Sequence, residues 1–173
     1  MSAVYAKQMG IPIRKLICAS NHNHIVVDVT TEEYDLRNRL LVASDSPAMD
    51  ILKSSHLERF LFDTLNGDGR LVRDLFFKVP GTLLERIQHN VLVGWCFNAE
   101  CLVAIHDVHL SIGYILDMHT AVTKVVSDRL HGQTCPVVIS STVHHGKFAP
   151  AVLQALQLQG SAGTPLDQPV SVH

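Results

Sequence analysis

A chain of 173 residues with 47% apolar and 17% charged side chains has the balance of one globular domain, or a large part of one, and not that of a disordered polymer. The net charge of −2 and the lack of a basic stripe speak against nucleic acid and anionic membrane as partners, because both demand a phosphate-attracting surface. The longest apolar runs, such as Val91-Leu92-Val93 and Pro136-Val137-Val138-Ile139, fall far short of the about 20 residues a membrane span needs. The start, Met1-Ser2-Ala3-Val4-Tyr5, lacks the charged and apolar regions of a signal peptide. Cys18, Cys96, Cys101 and Cys135 occur without CxxC spacing, which predicts reduced thiols and an intracellular location, with cytoplasm and mitochondrion both open.

In chain order, Ser2 to Met9 reads as a helix closed by Gly10, with Pro12 just beyond it. Arg14 to Ala19 reads as a short buried strand. Helix, glycine, short loop and strand make the second half of a βαβ unit whose first strand is not in the sequence. Ser54 to Leu65 is the clearest helix, with Leu57, Phe60, Leu61, Thr64 and Leu65 on one face and Ser55 with Glu58 as a capping box. Asn66-Gly67-Asp68-Gly69 ends it. A short helix from Arg70 to Lys78 is stopped by Pro80-Gly81. Thr82 with Glu85 then opens another, striped by Leu83, Leu84, Ile87, Val91 and Leu92.

A further helix is predicted around Glu100 to His109, and a brief extended piece at Tyr114-Ile115-Leu116. Asp117 caps a helix that runs to about Leu130, buries Ala121, Val122, Val125, Val126 and Leu130, and closes at Gly132. Pro136 to Ser141 reads as the second convincing strand. Lys147 to Leu158 reads as the last helix, with Phe148, Val152, Leu153 and Leu156 inward. Gly160 to His173 is rich in small and turn-forming residues and is expected to be disordered. Two parallel strands make an incomplete sheet, whose faces and edges need covering.

Four segments, in order, carry a family resemblance. They are VYAKQMGIPIRKLICASN at Val4 to Asn21, SPAMDILKSSHLERFLFD at Ser46 to Asp63, GYILDMHTAV at Gly113 to Val122, and SSTVHHGKFAPAV at Ser140 to Val152. Together they resemble the downstream part of the threonine synthase family, with vertebrate threonine synthase-like proteins the most similar in flavour, over roughly Met1 to Gln159. The resemblance implies an α/β fold: a partial three-layer fold of the tryptophan-synthase-β kind (fold type II pyridoxal-phosphate enzymes), helix-rich with few parallel strands. It implies one domain over Met1 to Gln159, pyridoxal phosphate as cofactor of the complete enzyme, and a phosphorylated amino acid as substrate. The reaction class is phosphate elimination, as a lyase or a synthase.

The family's cofactor-bonding lysine and glycine-rich phosphate loop lie upstream of these segments. None of Lys7, Lys15, Lys53, Lys78, Lys124 and Lys147 stands in that lysine's context. The chain alone is therefore expected to lack turnover and stable cofactor binding, and no catalytic residue is assigned. Carried over by motif position, Thr142 is the hydroxyl expected to face the cofactor's pyridine nitrogen, following a strand end. Ser54, Ser55 and Arg59, at a helix start, are the expected substrate-phosphate contacts. The sequence departs from the family at His56, Met118 and His145-Gly146.

Two other readings compete. The eleven histidines include His22 with His24, His106 with His109, and His144 with His145, so a histidine-rich metal module is conceivable; no established ligand spacing joins these pairs, and no metal site is assigned. The other is a non-catalytic fragment acting through protein binding, whose uncovered apolar surfaces are met by a second copy or a complementing N-terminal half. No G-x-S-x-G elbow supports a hydrolase.

Overall fold

The structure, a computed structural model, describes residues 1–31, 40–75, 81–132 and 135–157. Helix α1 spans Ser2–Gln8, and Gly10 beyond it takes φ +94°, a conformation open to glycine without steric cost. Strand β1 spans Leu16–Asn21 and helix α2 spans Ile25–Thr31. After a 3-10 turn at Pro47–Met49 come α3 (Ser55–Thr64), α4 (Gly69–Leu75) and α5 (Gly81–Asn90). Strand β2 (Val91–Cys96), α6 (Asn98–Ile112), α7 (Met118–Leu130), a second 3-10 turn at His145–Phe148 and α8 (Ala149–Leu156) complete the order.

Among the described residues the sheet is one parallel pair, with Leu16 opposite Val91 and Asn21 opposite Cys96. Side chains alternate across a strand, so this pair has two faces to bury. Val91 packs with a small cluster of Ile25, Leu57, Leu61, Val72 and Ile87. Ile17, Ala19 and Cys96 point the other way, into a larger core built on α6, α7 and α8. Gly94 lies on that second face under α7. A Cβ there would stand 2.8 Å from Val126 Cγ1 and 3.1 Å from Leu130 Cδ1, so its missing side chain lets the helix sit down on the sheet.

Several expectations hold in detail. Asp117 caps α7, accepting from the His119 and Thr120 amides, and α7 buries Ala121, Val122 and Val126 of its expected stripe, with Val125 and Leu130 only partly buried against the same core. Helix α3 buries Leu57 and Leu61, with Phe60 and Leu65 packed beside them.

Others are corrected. Val91 and Leu92 do not extend the helix before them: α5 stops at Asn90 and the next residues form β2. Branched Val91 and Val93 favour the extended state, and the parallel partner β1 fixes it as a strand. Residues 136–140 form no strand, and Val138 is 93% exposed. A strand exists only by pairing, and residues 136–140 pair with no other strand among the described residues. The cap of α3 is Ser54, whose hydroxyl accepts from the Leu57 amide at 3.4 Å; Ser55 is already inside the helix. Leu153, expected inward, is 55% exposed; Val152 is buried as expected, and Ala155, three residues on along the same face of α8, is buried with it. The expected tail from Gly160, and the end of the helix expected to reach Lys78, lie outside the described residues.

The close approach at Gly94 predicts that Gly94→Ala destabilises by about 1–3 kcal/mol, through displacement of Val126 and Leu130. Gly132→Ala, where nothing stands within 4 Å of an added Cβ, is the matched control and stays within about 0.5 kcal/mol. Urea midpoints of the two variants check the pair.

Candidate functional site

The parallel register sets Asn21 beside Cys96, so both strands end on one edge, where ligands gather in open α/β sheets. That edge is polar. The buried Asn21 amide donates to Ser44 Oγ at 2.8 Å, Ser46 Oγ at 3.1 Å and Asp50 Oδ1 at 2.6 Å. Asn23 Nδ2 donates to Asp50 Oδ1 at 3.0 Å and to the Val42 carbonyl at 2.8 Å. Ser44 donates to both carboxylate oxygens of Asp50, from its amide at 2.7 Å and its hydroxyl at 2.6 Å. One carboxylate thus gathers the end of β1 and the segment leading to the first 3-10 turn. Beside it, the rings of His24 and Trp95 lie 5.2 Å apart, and Trp95 meets Phe97 edge-on at 4.7 Å.

The start of α7 completes the edge. Buried His119 accepts the Ala48 amide on Nε2 at 3.1 Å and packs 4.7 Å from the Phe148 ring, tying the first 3-10 turn to the second. With Nε2 accepting, the neutral ring carries its proton on Nδ1. That atom lies 3.3 Å from Asp117 Oδ1 but is not aligned for a hydrogen bond. Asp117 also accepts a short hydrogen bond from the Thr120 hydroxyl, and Thr120 Oγ1 in turn lies 3.3 Å from Ser141 Oγ. A buried carboxylate therefore orders a chain of hydroxyls that ends at the surface. There an open cleft of about 390 Å³ is lined by Asp117 and Ser141 together with Tyr114, Ile115, His144 and His145.

Thr142 follows Ser141 and is exposed at the margin of this cleft, while Ser141 itself lines it. Ser54 is buried as the cap of α3, and Ser55 and Arg59 are exposed on that helix, which packs against the smaller core and not the one beneath the cleft. The structure does not bring these residues into the lining of the cleft that Thr142 borders. Desolvation, with the charge of Arg59 adding to it, lowers the His56 imidazole below its ordinary pKa. The histidine pairs are spread over the end of β1, the body of α6 and the second 3-10 turn. Among the described residues no three His, Cys, Asp or Glu side chains converge as metal ligands.

Sequence reasoning missed the Asn21, Asn23, Ser44, Ser46 and Asp50 network. Its only local signal is Asn-x-Asn directly after a strand. Asp50→Ala leaves donors of Asn21, Asn23 and Ser44 without their shared acceptor, and about 2–3 kcal/mol of stability is expected to be lost. Equilibrium unfolding checks it, and a loss below 0.5 kcal/mol, on the scale of an ordinary surface change, would refute it.

No family model matches the sequence. Among characterised proteins, the chain is 52% identical to human threonine synthase-like 1 and 50% identical to the mouse protein, in both cases over 92% of the present chain. It is 33% identical to threonine synthase of Saccharomyces cerevisiae over 90% of its length. The chain spans about a quarter of threonine synthase-like 1 and about a third of the yeast enzyme, 23% and 35% respectively. Among solved structures it is similar to PLP-bound threonine synthase from Brucella melitensis, with TM-score 0.82, 31% identity, and coverage of 93% of this chain and 36% of that one. Yeast threonine synthase follows at TM-score 0.80 and 31% identity, with 98% of this chain and 38% of that one covered. Its fold is accordingly the helix-rich, fold type II α/β arrangement with a small parallel sheet. Sequence and backbone agree along nearly the whole chain: it belongs to the threonine synthase family, as a stretch about a quarter the length of threonine synthase-like 1.

Proposed function

We propose that the chain forms the downstream part of a pyridoxal-phosphate-dependent enzyme that acts on a phosphorylated amino acid by eliminating phosphate. The observation that carries this reading is the carboxylate-anchored hydroxyl chain, Asp117 to Thr120 to Ser141, opening on a cleft beside Thr142. Pyridoxal phosphate, when bound, supplies an electron sink next to the substrate's amino group. The residues present fit one edge of such a cofactor. Thr142 would offer its hydroxyl to the cofactor's pyridine nitrogen, and the Ser141 link to Thr120 and Asp117 would hold that segment in place. The cleft's lining contains no lysine and no phosphate cradle, so no chemical step is derived for this chain by itself.

Ser54, Ser55 and Arg59 are proposed to hold the substrate phosphate within the complete protein, with the α3 amino end and the guanidinium supplying donors. Large apolar side chains on the surface support a larger body around this piece: Met9 is 83% exposed, Leu40 90% and Ile112 75%. The same surface supports a second reading, in which the chain acts by associating with a second copy or with a complementing N-terminal half.

The test is made at two levels. The 173-residue chain, mixed with pyridoxal phosphate and reduced with borohydride, is expected to give only scattered, partial lysine labelling. Full occupancy of one lysine would overturn the claim that it needs further residues. In the longer protein, Thr142→Val is expected to weaken cofactor binding about tenfold, the loss of one buried hydrogen bond. Cofactor titration by absorbance reads it, and unchanged affinity would remove Thr142 from the site. Arg59→Ala is expected to raise the KM for the phosphorylated substrate about tenfold or more, with kcat less affected.

A further inference from the structure

A pair of thiols in the larger core lies outside the lining of the proposed cofactor cleft. Cys96 is the last residue of β2 and Cys101 lies in the first turn of α6. Each is 1% exposed, and their sulfurs are 3.5 Å apart. The strand-to-helix junction therefore already holds them in van der Waals contact. Closing to a disulfide, about 2.05 Å, takes a further approach of about 1.5 Å, within reach of side-chain rotation and a small shift of one helical turn.

The two thiols are chemically unequal. The hydrogen bond from Cys101 favours the Cys96 thiolate and draws its pKa down, with Arg129 adding to the effect. The same bond, with burial, pushes the Cys101 thiol up. One sulfur is the better nucleophile and the other stands ready to resolve it. Burial pushes the Cys18 thiol up, away from reactivity. Both thiols are buried, but Phe97 in the junction between them is 54% exposed, so the junction itself reaches the surface, and local opening of the first turn of α6 is the route for a small oxidant.

We propose that Cys96 and Cys101 form a redox-active dithiol that a hydroperoxide converts to an intramolecular disulfide within the folded chain. The Cys96 thiolate attacks the peroxide oxygen, the O–O bond breaks, and Cys96 becomes a sulfenic acid as hydroxide leaves and is protonated to water. The Cys101 sulfur then displaces the sulfenic hydroxyl, the S–S bond forms, and the thiol proton leaves with that hydroxyl as a second water. Two thiols are oxidised by two electrons and one hydrogen peroxide is reduced to two waters. This site does not depend on the cofactor reading.

The experiment treats the full chain with hydrogen peroxide under native conditions, followed by non-reducing peptide mapping. The expected product is a Cys96–Cys101 crosslink, lighter by two hydrogens and reversed by a dithiol reductant. Cys101→Ser is expected to halt at Cys96 sulfenic acid, captured as a dimedone adduct. A chain carrying Cys18→Ser and Cys135→Ser keeps only the pair, and both its thiols are expected to vanish together. A crosslink through Cys18 or Cys135 would overturn the proposal, as would oxygen addition without crosslinking or two thiols left unchanged by peroxide.

Discussion

Parallel pairing of β1 with β2 places almost everything else in the molecule. The two strands are far apart in sequence, and among the described residues four helices intervene between them. A parallel pair has no solvent face to spare, because each side presents alternate apolar residues. Helices α2 to α5 bring one apolar cluster to one face, and α6, α7 and α8 bring the larger one to the other. Gly94 makes the second packing close, since α7 sits where a side chain would otherwise stand. Once α7 is seated there, its amino end lies beside the carboxyl ends of both strands.

That juxtaposition creates the polar edge. Asp50 gathers the amides and hydroxyls of Asn21, Asn23 and Ser44, while Asp117 gathers the start of α7 and Thr120. His119 bridges the two systems through the Ala48 amide and the Phe148 ring. Buried polar atoms at such an edge must find partners or incur a desolvation cost. The two networks supply those partners, and they end at a cleft bordered by hydroxyls. Order and exposure meet there: a rigid carboxylate below and reachable groups above.

The same geometry explains the relation between this piece and the enzymes it resembles. The segments shared with threonine synthases coincide with β1, the first 3-10 turn and α3, the start of α7, and the second 3-10 turn. Three of these line or support the carboxyl edge. Ser54, Ser55 and Arg59 belong instead to the helix over the smaller core, so a substrate reaching both regions would have to span the edge of the sheet. The exposed Leu40, Ile112 and Val138 lie outside both clusters.

By itself the sequence determined the local elements with strong periodicity or chemistry: α3 from its apolar face, α7 from Asp117 and its buried stripe, and β1 from an apolar run. These depend on contacts within a few residues, which composition and spacing record. It also determined the family, because four motifs in order are a long-range signal that no single element carries. Only the tertiary structure decided that Val91 to Cys96 is a strand and that residues 136–140 are not, since strand identity rests on a partner distant in sequence. Only it decided that Leu153 faces outward, because α8 is docked with Val152 and Ala155 turned into the larger core. It alone revealed the Asp50 network, the Thr120 link to Ser141 and the contact of Cys96 with Cys101. Each of these joins separate elements, and the physical reason is the same: hydrogen bonds and sulfur contacts act over a few ångströms of space, whatever the separation along the chain.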